Sequence, residues 1–340
     1  MASLKPTSTH WGHYQVATEN GQLSAVLPNK FDLHPSPIAQ SLLDSHHSGC
    51  RIPSPHIRRG YLKSPGRSDG SKRGSDPFVQ VPWDEAFDIA AEALQRTSSE
   101  HGNQAIYGGS YGWSSAGRFH HAQSQLRRFL NHTGGFTYSV QNYSFATAQV
   151  ILPRIIGMDA TAVMLQAPTI DDICKNTKLM VCFGGISMKN TQINQGGIAN
   201  HSAETELKKV KQAGVELVLV SPVKDDIAGF LNAQWLPVRP NGDAALMLAL
   251  VHTLYTEGLY DRNFIDKYTS GFDKFVPYLT GTEDGVAKDA AWAATLCDID
   301  AESIVALARR MAGEPCLLSI SWSLQRTEHG DQPYLSLIHI

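Results

Sequence analysis

Ser110 lies in the run Gly108-Gly109-Ser110-Tyr111-Gly112-Trp113, which contains G-x-S-x-G, the spacing of a hydrolase nucleophile elbow. An elbow needs a sharp strand-to-helix turn, then an acid and a histidine further along the chain. His201, His252 and His329 follow, and no spacing selects one of them. The run "YGWSSAG" also separates Ser110 from the next helical pattern. The same loop carries a second chemistry. It holds two large aromatics in a stretch too glycine-rich to bury them by itself, a composition suited to a wall around a flat ligand. Two readings stand at this point: Ser110 as the nucleophile of a serine hydrolase, or the loop as a cofactor wall.

Three further segments share this make-up: "FGGISMKN" (183–190), "VSPVKDD" (220–226) and "SISWSLQR" (319–326). Each follows an apolar run and combines small residues, which let backbone approach a ligand, with lysine, arginine or tryptophan. Four such segments together predict a large, polar ligand bearing several phosphates, lying along strand tips. Neither G-x-G-x-x-G after a strand nor G-x-x-x-x-G-K-[ST] occurs, so the usual dinucleotide and P-loop fingerprints are absent.

The elements that would position these loops are legible in the hydrophobic pattern. Residues 178–185, 215–223 and 316–321 read as strands apolar on both faces, with helices over 204–214, 242–258, 287–297 and 300–312. Such strands separated by helices predict an α/β fold, a parallel sheet flanked by helices. Upstream, "FVQVPW" alternates like a strand, and residues 84–102 place Phe87, Ala90, Ala91 and Leu94 on one helical face. A short strand is expected over 105–108, a helix from about 118 to 131, and another from about 144 to before Gly157. Residues 1–75 differ: they hold seven of the 17 prolines and nine Lys/Arg against four Asp/Glu. They predict a loop-rich segment with a few short strands, such as 22–28. The expected division is therefore 1–77, loop- and strand-rich, and 78–340, the α/β domain.

Composition bounds the rest. The 340 residues are 42% hydrophobic and 18% charged, with a net charge of −3, and nothing in this favours nucleic acid. No apolar run approaches the roughly 20 residues of a membrane span. The start, "MASLKPTSTHWGHYQ", has no leader pattern, so a cytoplasmic protein is expected, or a periplasmic one if a leader precedes this sequence. Five scattered cysteines form no C-x-x-C pair, so no iron–sulfur cluster is expected in this chain.

The segments "GGSYGW", "NYSFATAQVILPRIIG" (142–157), "RPNGDAALMLALVHTLYTEGLYDRNFI" (239–265) and "SWSLQRTEHGDQ" (321–332), in this order, resemble the molybdopterin oxidoreductases of the dimethyl sulfoxide reductase family. The likeness is to the branch of biotin sulfoxide, trimethylamine-N-oxide and dimethyl sulfoxide reductases, and runs from His10-Trp11-Gly12 to about Gln332. The resemblance implies a Rossmann-like molybdopterin domain and a bis(molybdopterin guanine dinucleotide) molybdenum cofactor. It also implies an S-oxide or N-oxide substrate and an external electron-donor protein. The family turn that gives a serine oxygen to the metal matches Asn142-Tyr143-Ser144, so Ser144 is the expected molybdenum ligand; the same residue also suits a helix N-cap. Tyr111 matches the tyrosine that hydrogen-bonds oxygen at the metal or on the substrate, and its presence favours a sulfoxide. Trp113 matches the tryptophan lining metal and pterin, which makes Ser110 a turn residue.

By the same resemblance, Met188, Lys189 and Asn190 belong to a loop beside the cofactor, and Ser221, Pro222 and Lys224 to a loop holding a guanosine diphosphate portion. Asp243 is the carboxylate for guanine, and Trp322, Gln325 and Arg326 form the last pterin-contacting loop. Family proteins continue well past "YLSLIHI" at 334–340, so a chain truncated at its C-terminus is expected. The remaining alternative is an inactive fragment that binds no cofactor.

Overall fold

Asn20-Gly21 sits between two alternating runs, the strongest short hairpin signal a sequence carries. In the computed structural model both residues take positive φ, 52° and 77°, and close a hairpin between β2 (Gly12–Glu19) and β3 (Gln22–Pro28). β1 (Lys5–Thr9) adds an antiparallel edge to β2, and Tyr14, Val26 and Ala39 form a small core beneath. The structure describes residues 4–66, 70–110, 121–140, 144–194 and 196–326.

The chain forms two compact units. The first comprises Met1–Val140 with the short excursion Gln192–His201; the second comprises Gln141–Thr191 with Ser202–Ile340. The division expected at 77/78 falls inside the first unit, because β5 (Phe78–Gln80) pairs back antiparallel with β4 (His56–Arg58). The helix expected after it spans Trp83–His101, but none of its residues is buried, and Phe87 of the expected inner face is 61% exposed. No strand forms over 105–108. A 3-10 turn covers Asn103–Ala105, and only Tyr107 bridges, in parallel, to Thr137. Gly108 and Gly109 offer no side chain to pack, which leaves a bridge where a strand was expected. A helix spans Ala122–His132; the expected start near 118 lies outside the described residues.

In the second unit the expectation of a parallel sheet holds. β6 (Leu179–Phe183), β7 (Glu216–Val220), β8 (Gln234–Leu236) and β9 (Cys316–Ile320) pair in parallel in the order β8-β7-β6-β9. Every residue of β6 is buried. Alternation sorts its side chains to two faces. Leu179, Val181 and Phe183 join Leu246, Leu250 and Ile304 from the helices Asp243–Thr256 and Ala301–Gly313. Met180 and Cys182 join Ile173 and Val210 from the helices Ile170–Asn176 and Ala203–Gln212 on the other face. Each fully buried leucine or phenylalanine contributes about 1.5–3 kcal/mol, so this two-sided core fixes the strand tips.

Candidate active site at the carboxyl edge of the parallel sheet

Counted in chain order, the strands of the second unit run 3-2-1-4 across the sheet. β7 and β8 lie to one side of β6 and β9 to the other, so the order reverses between β6 and β9. In doubly wound sheets that reversal opens the ligand crevice beyond the carboxyl ends of the strands.

Three of the four loops singled out by composition meet at this edge. Gly184 N donates to Val220 O (2.8 Å) and Ser321 N to Phe183 O (2.8 Å), stitching the tips of β7, β6 and β9 together. Gly184 and Gly185 both take positive φ, 76° and 79°. A Cβ on Gly184 would lie 2.6 Å from Ser321 Cβ, and one on Gly185 would collide with the main-chain oxygen of Asp226. The two glycines are required twice over, by backbone conformation and by the closeness of the neighbouring loops. The fourth loop, "GGSYGW", follows the Tyr107 bridge in the first unit.

Several expected site residues of the second unit lie in the loops at this edge. Ser221 is 1% exposed; its Oγ donates to Asp226 Oδ2 (2.7 Å) and accepts from Val223 N (3.2 Å). Lys189 reaches the other carboxylate oxygen, Nζ to Asp226 Oδ1 at 3.0 Å, with its side chain 66% exposed. Met188 is half-buried in the same short turn, and Asn190 is exposed. Pro222 is exposed, and Lys224 stands with Nζ 5.9 Å from the centre of the Trp235 ring. Asp243 is buried in the first turn of the helix that follows β8, where the helix dipole favours a carboxylate. Trp322 is half-buried just beyond β9, and Gln325 and Arg326 continue its turn, their side chains lying outside the described residues.

Ser144 is half-buried in the turn that opens the helix Ala146–Ile155. It does not take the N-cap position. That position falls on Phe145, which has no side-chain cap hydrogen bond. Phe145 instead sets its ring edge-on to Trp322, with centroids 4.1 Å apart and an angle of 87°. This contact ties the Ser144 turn to the tip of β9. Tyr111 and Trp113 lie outside the described residues.

The elbow reading loses its partners. Both ring nitrogens of His201 are engaged, Nδ1 with Asp32 Oδ2 at 2.7 Å and Nε2 with the main-chain oxygen of Gln192 at 3.1 Å. His252 lies in the apolar helix Asp243–Thr256, where burial pushes its pKa down. His329 is outside the described residues, and no strand leads into Ser110.

Two features escaped sequence reading. Asp226 was visible only as one of two acids in "VKDD", and its partner Lys189 is 37 residues away. Phe145 gave no signal, because its role depends on meeting Trp322. The cysteines of the sheet are thiols by environment: burial pushes Cys182 up to about 12 and Cys316 up to about 11.

Comparison with known proteins shows the family of the chain. The biotin sulfoxide reductase of Cereibacter sphaeroides is 42% identical over 309 residues, covering 91% of this chain and 41% of that protein. The dimethyl sulfoxide/trimethylamine N-oxide reductase of Rhodobacter capsulatus is 38% identical over 332 residues, 98% of this chain and 40% of its own. The trimethylamine-N-oxide reductase of Pasteurella multocida is 37% identical over 339 residues, 98% and 41% of the two chains. The chain thus spans about two-fifths of the length of these relatives. Among solved structures, acetylene hydratase from Pelobacter acetylenicus shares the fold, with a TM-score of 0.55 at 17% identity over 98% of this chain and 42% of that one. A model of the molybdopterin oxidoreductase N-terminal domain matches residues 7–47. The match to the molybdopterin oxidoreductase model runs on from residue 51 to 340, through both compact units, and the chain belongs to that family.

Proposed function

We propose that the chain forms part of a molybdenum-dependent reductase that removes the oxygen atom from an S-oxide of the biotin, methionine or dimethyl sulfoxide type, or from an N-oxide. The names of its relatives support the reaction class. The family implies a molybdenum–pterin cofactor, and we propose that it is the bis(molybdopterin guanine dinucleotide) form. The observation that carries the reading is the edge-on contact of Phe145 with Trp322, which joins the Ser144 turn to the carboxyl edge of the sheet.

The residues at that edge fit such a group. A lysine ammonium suits a diphosphate, a buried carboxylate suits guanine N–H groups, and an indole suits a flat ring system. When bound, the cofactor would supply the two-electron chemistry that oxygen-atom removal needs. The chain's own part is to bind and orient. Ser144 would hold the metal through its hydroxyl oxygen. Tyr111 donates a hydrogen bond to the substrate oxygen, and Trp113 keeps water from the site. Lys189, Lys224 and Arg326 would meet the cofactor's phosphates, Asp243 would accept from its guanine, and Trp322 and Gln325 would border its pterin. Met188, Asn190, Ser221 and Pro222 shape the loops between them. Electrons arrive from a separate donor protein. A cytoplasmic location suits a chain whose described cysteines are all free thiols.

The test is Ser144→Ala in the intact protein, read by molybdenum content and sulfoxide reductase activity. The variant is expected to lose activity while keeping the wild-type unfolding midpoint. Unchanged activity and unchanged metal content would refute the assignment of Ser144.

A further inference from the structure

Lys189 does not stand alone at the strand tips. Its partner, Asp226, is tied to the edge through both side chain and backbone. One carboxylate oxygen accepts from the buried Ser221 hydroxyl at 2.7 Å, the other from Lys189 Nζ at 3.0 Å. Its backbone N donates to Val223 O at 3.2 Å, and its carbonyl fills the space a side chain on Gly185 would need. The next residue, Ile227, bridges in parallel to Ile186, joining the loops after β6 and β7. The Asp226 side chain is only 19% exposed, against 66% for Lys189.

From this geometry we infer that Asp226 is a positioning residue: it fixes the Lys189 ammonium at the carboxyl edge and sets how the loop after β6 meets a ligand's diphosphate. The deeper, anchored carboxylate holds the more exposed amine. An ammonium has three donors and Asp226 takes one of them, which leaves two for phosphate oxygens. The Ser221 hydroxyl proton goes to Asp226, so Ser221 shapes the loop and is not itself a phosphate donor. A lysine on a four-carbon stem loses much rotamer freedom on binding an anion, and a fixed partner removes part of that cost in advance.

The inference rests on the dinucleotide reading of the edge, and two readouts separate them. The first needs no ligand: the rate of reductive methylation at Lys189, followed by mass spectrometry in the full chain. Asp226→Asn keeps the side-chain shape and an acceptor for Ser221 but removes the charge. Lys189 is expected to react about threefold to fivefold faster in this variant, the span of an exposed ion pair. Asp225→Asn at the exposed neighbour is expected to leave the rate unchanged. An unchanged rate in Asp226→Asn overturns the positioning role whatever else is found. The second readout is calorimetric titration with guanosine diphosphate. Asp226→Asn and Lys189→Ala are each expected to weaken binding about threefold to fivefold, and the double variant no more than Lys189→Ala alone. Fully additive losses would show that Asp226 does not act through Lys189, and would overturn the inference. A faster methylation rate in Asp226→Asn, with no guanosine diphosphate binding to any form, would uphold the positioning role and refute the dinucleotide reading.

Discussion

The Asp32–His201 pair offers the sharpest energetic test of the first compact unit. Both side chains are 3% exposed. The Asp32 carboxylate accepts His201 Nδ1 at 2.7 Å, His201 N at 3.1 Å and His34 N at 3.3 Å. Residues 32 and 201 lie far apart in the chain, so these bonds fasten the excursion Gln192–His201 to the strand-rich segment within the same unit. Asp32→Ala removes the carboxylate and leaves the imidazole buried without it. The two hydrogen bonds from His201 to the buried carboxylate, at about 1.5–3 kcal/mol each, give an expected cost of about 3–5 kcal/mol. Urea unfolding, followed by hydrogen exchange at residues 192–201, would show a loss of about 3–5 kcal/mol centred on that segment.

The pH dependence has a definite sign. Burial pushes the Asp32 carboxyl up, but the hydrogen bonds from the His201 side chain and backbone outweigh it and hold it below the ordinary value. A carboxyl depressed in the folded state stabilises fully above its unfolded value, about 3.9, and that contribution fades as pH falls through the lower folded value. Wild type should therefore lose stability on the acid side through this group, and Asp32→Ala should lack that part of the acid limb. A cost under about 1 kcal/mol, or an acid limb identical to wild type, would refute the reasoning.

Other expectations follow from the sheet. Gly185→Ala combines a positive φ of 79°, worth about 1–2 kcal/mol, with a collision at Asp226; Gly214→Ala has a similar φ, 77°, but meets open space. Thermal unfolding should rank Gly185→Ala clearly below Gly214→Ala, and equal midpoints would contradict the close approach of the tips. Leu246→Ala, in the 0%-exposed core under β6, should cost about 2–5 kcal/mol in urea unfolding, and a cost below about 1 kcal/mol would argue against the packing. Iodoacetamide at pH 8 should label exposed Cys50 first and Cys182 only on unfolding, because burial holds the latter thiol near 12. Prompt labelling of Cys182 in the native protein would contradict its burial in β6.

What the amino-acid order settled by itself is local. The strand over 22–28, the apolar strands β6, β7 and β9, and the helices over Asp243–Thr256 and Ala301–Gly313 are written in nearest-neighbour periodicity, and they folded where that periodicity indicated. The family motifs were legible in the same way, as contiguous runs. Where the local signal was thin, it misled: two glycines at 108–109 cannot sustain a strand, and the three-residue β8 carries too little pattern to stand out. The outward-facing Phe87 shows that an apolar helical stripe states a capacity for burial, not the presence of a partner. Only the tertiary structure decided which acid serves which base. Asp226 with Lys189, Asp32 with His201 and Phe145 with Trp322 are pairs separated by 37, 169 and 177 residues, and no local rule links them. Their meeting depends on the order of strands in the sheet and on the path of the chain between units, quantities fixed by the summed burial of the core.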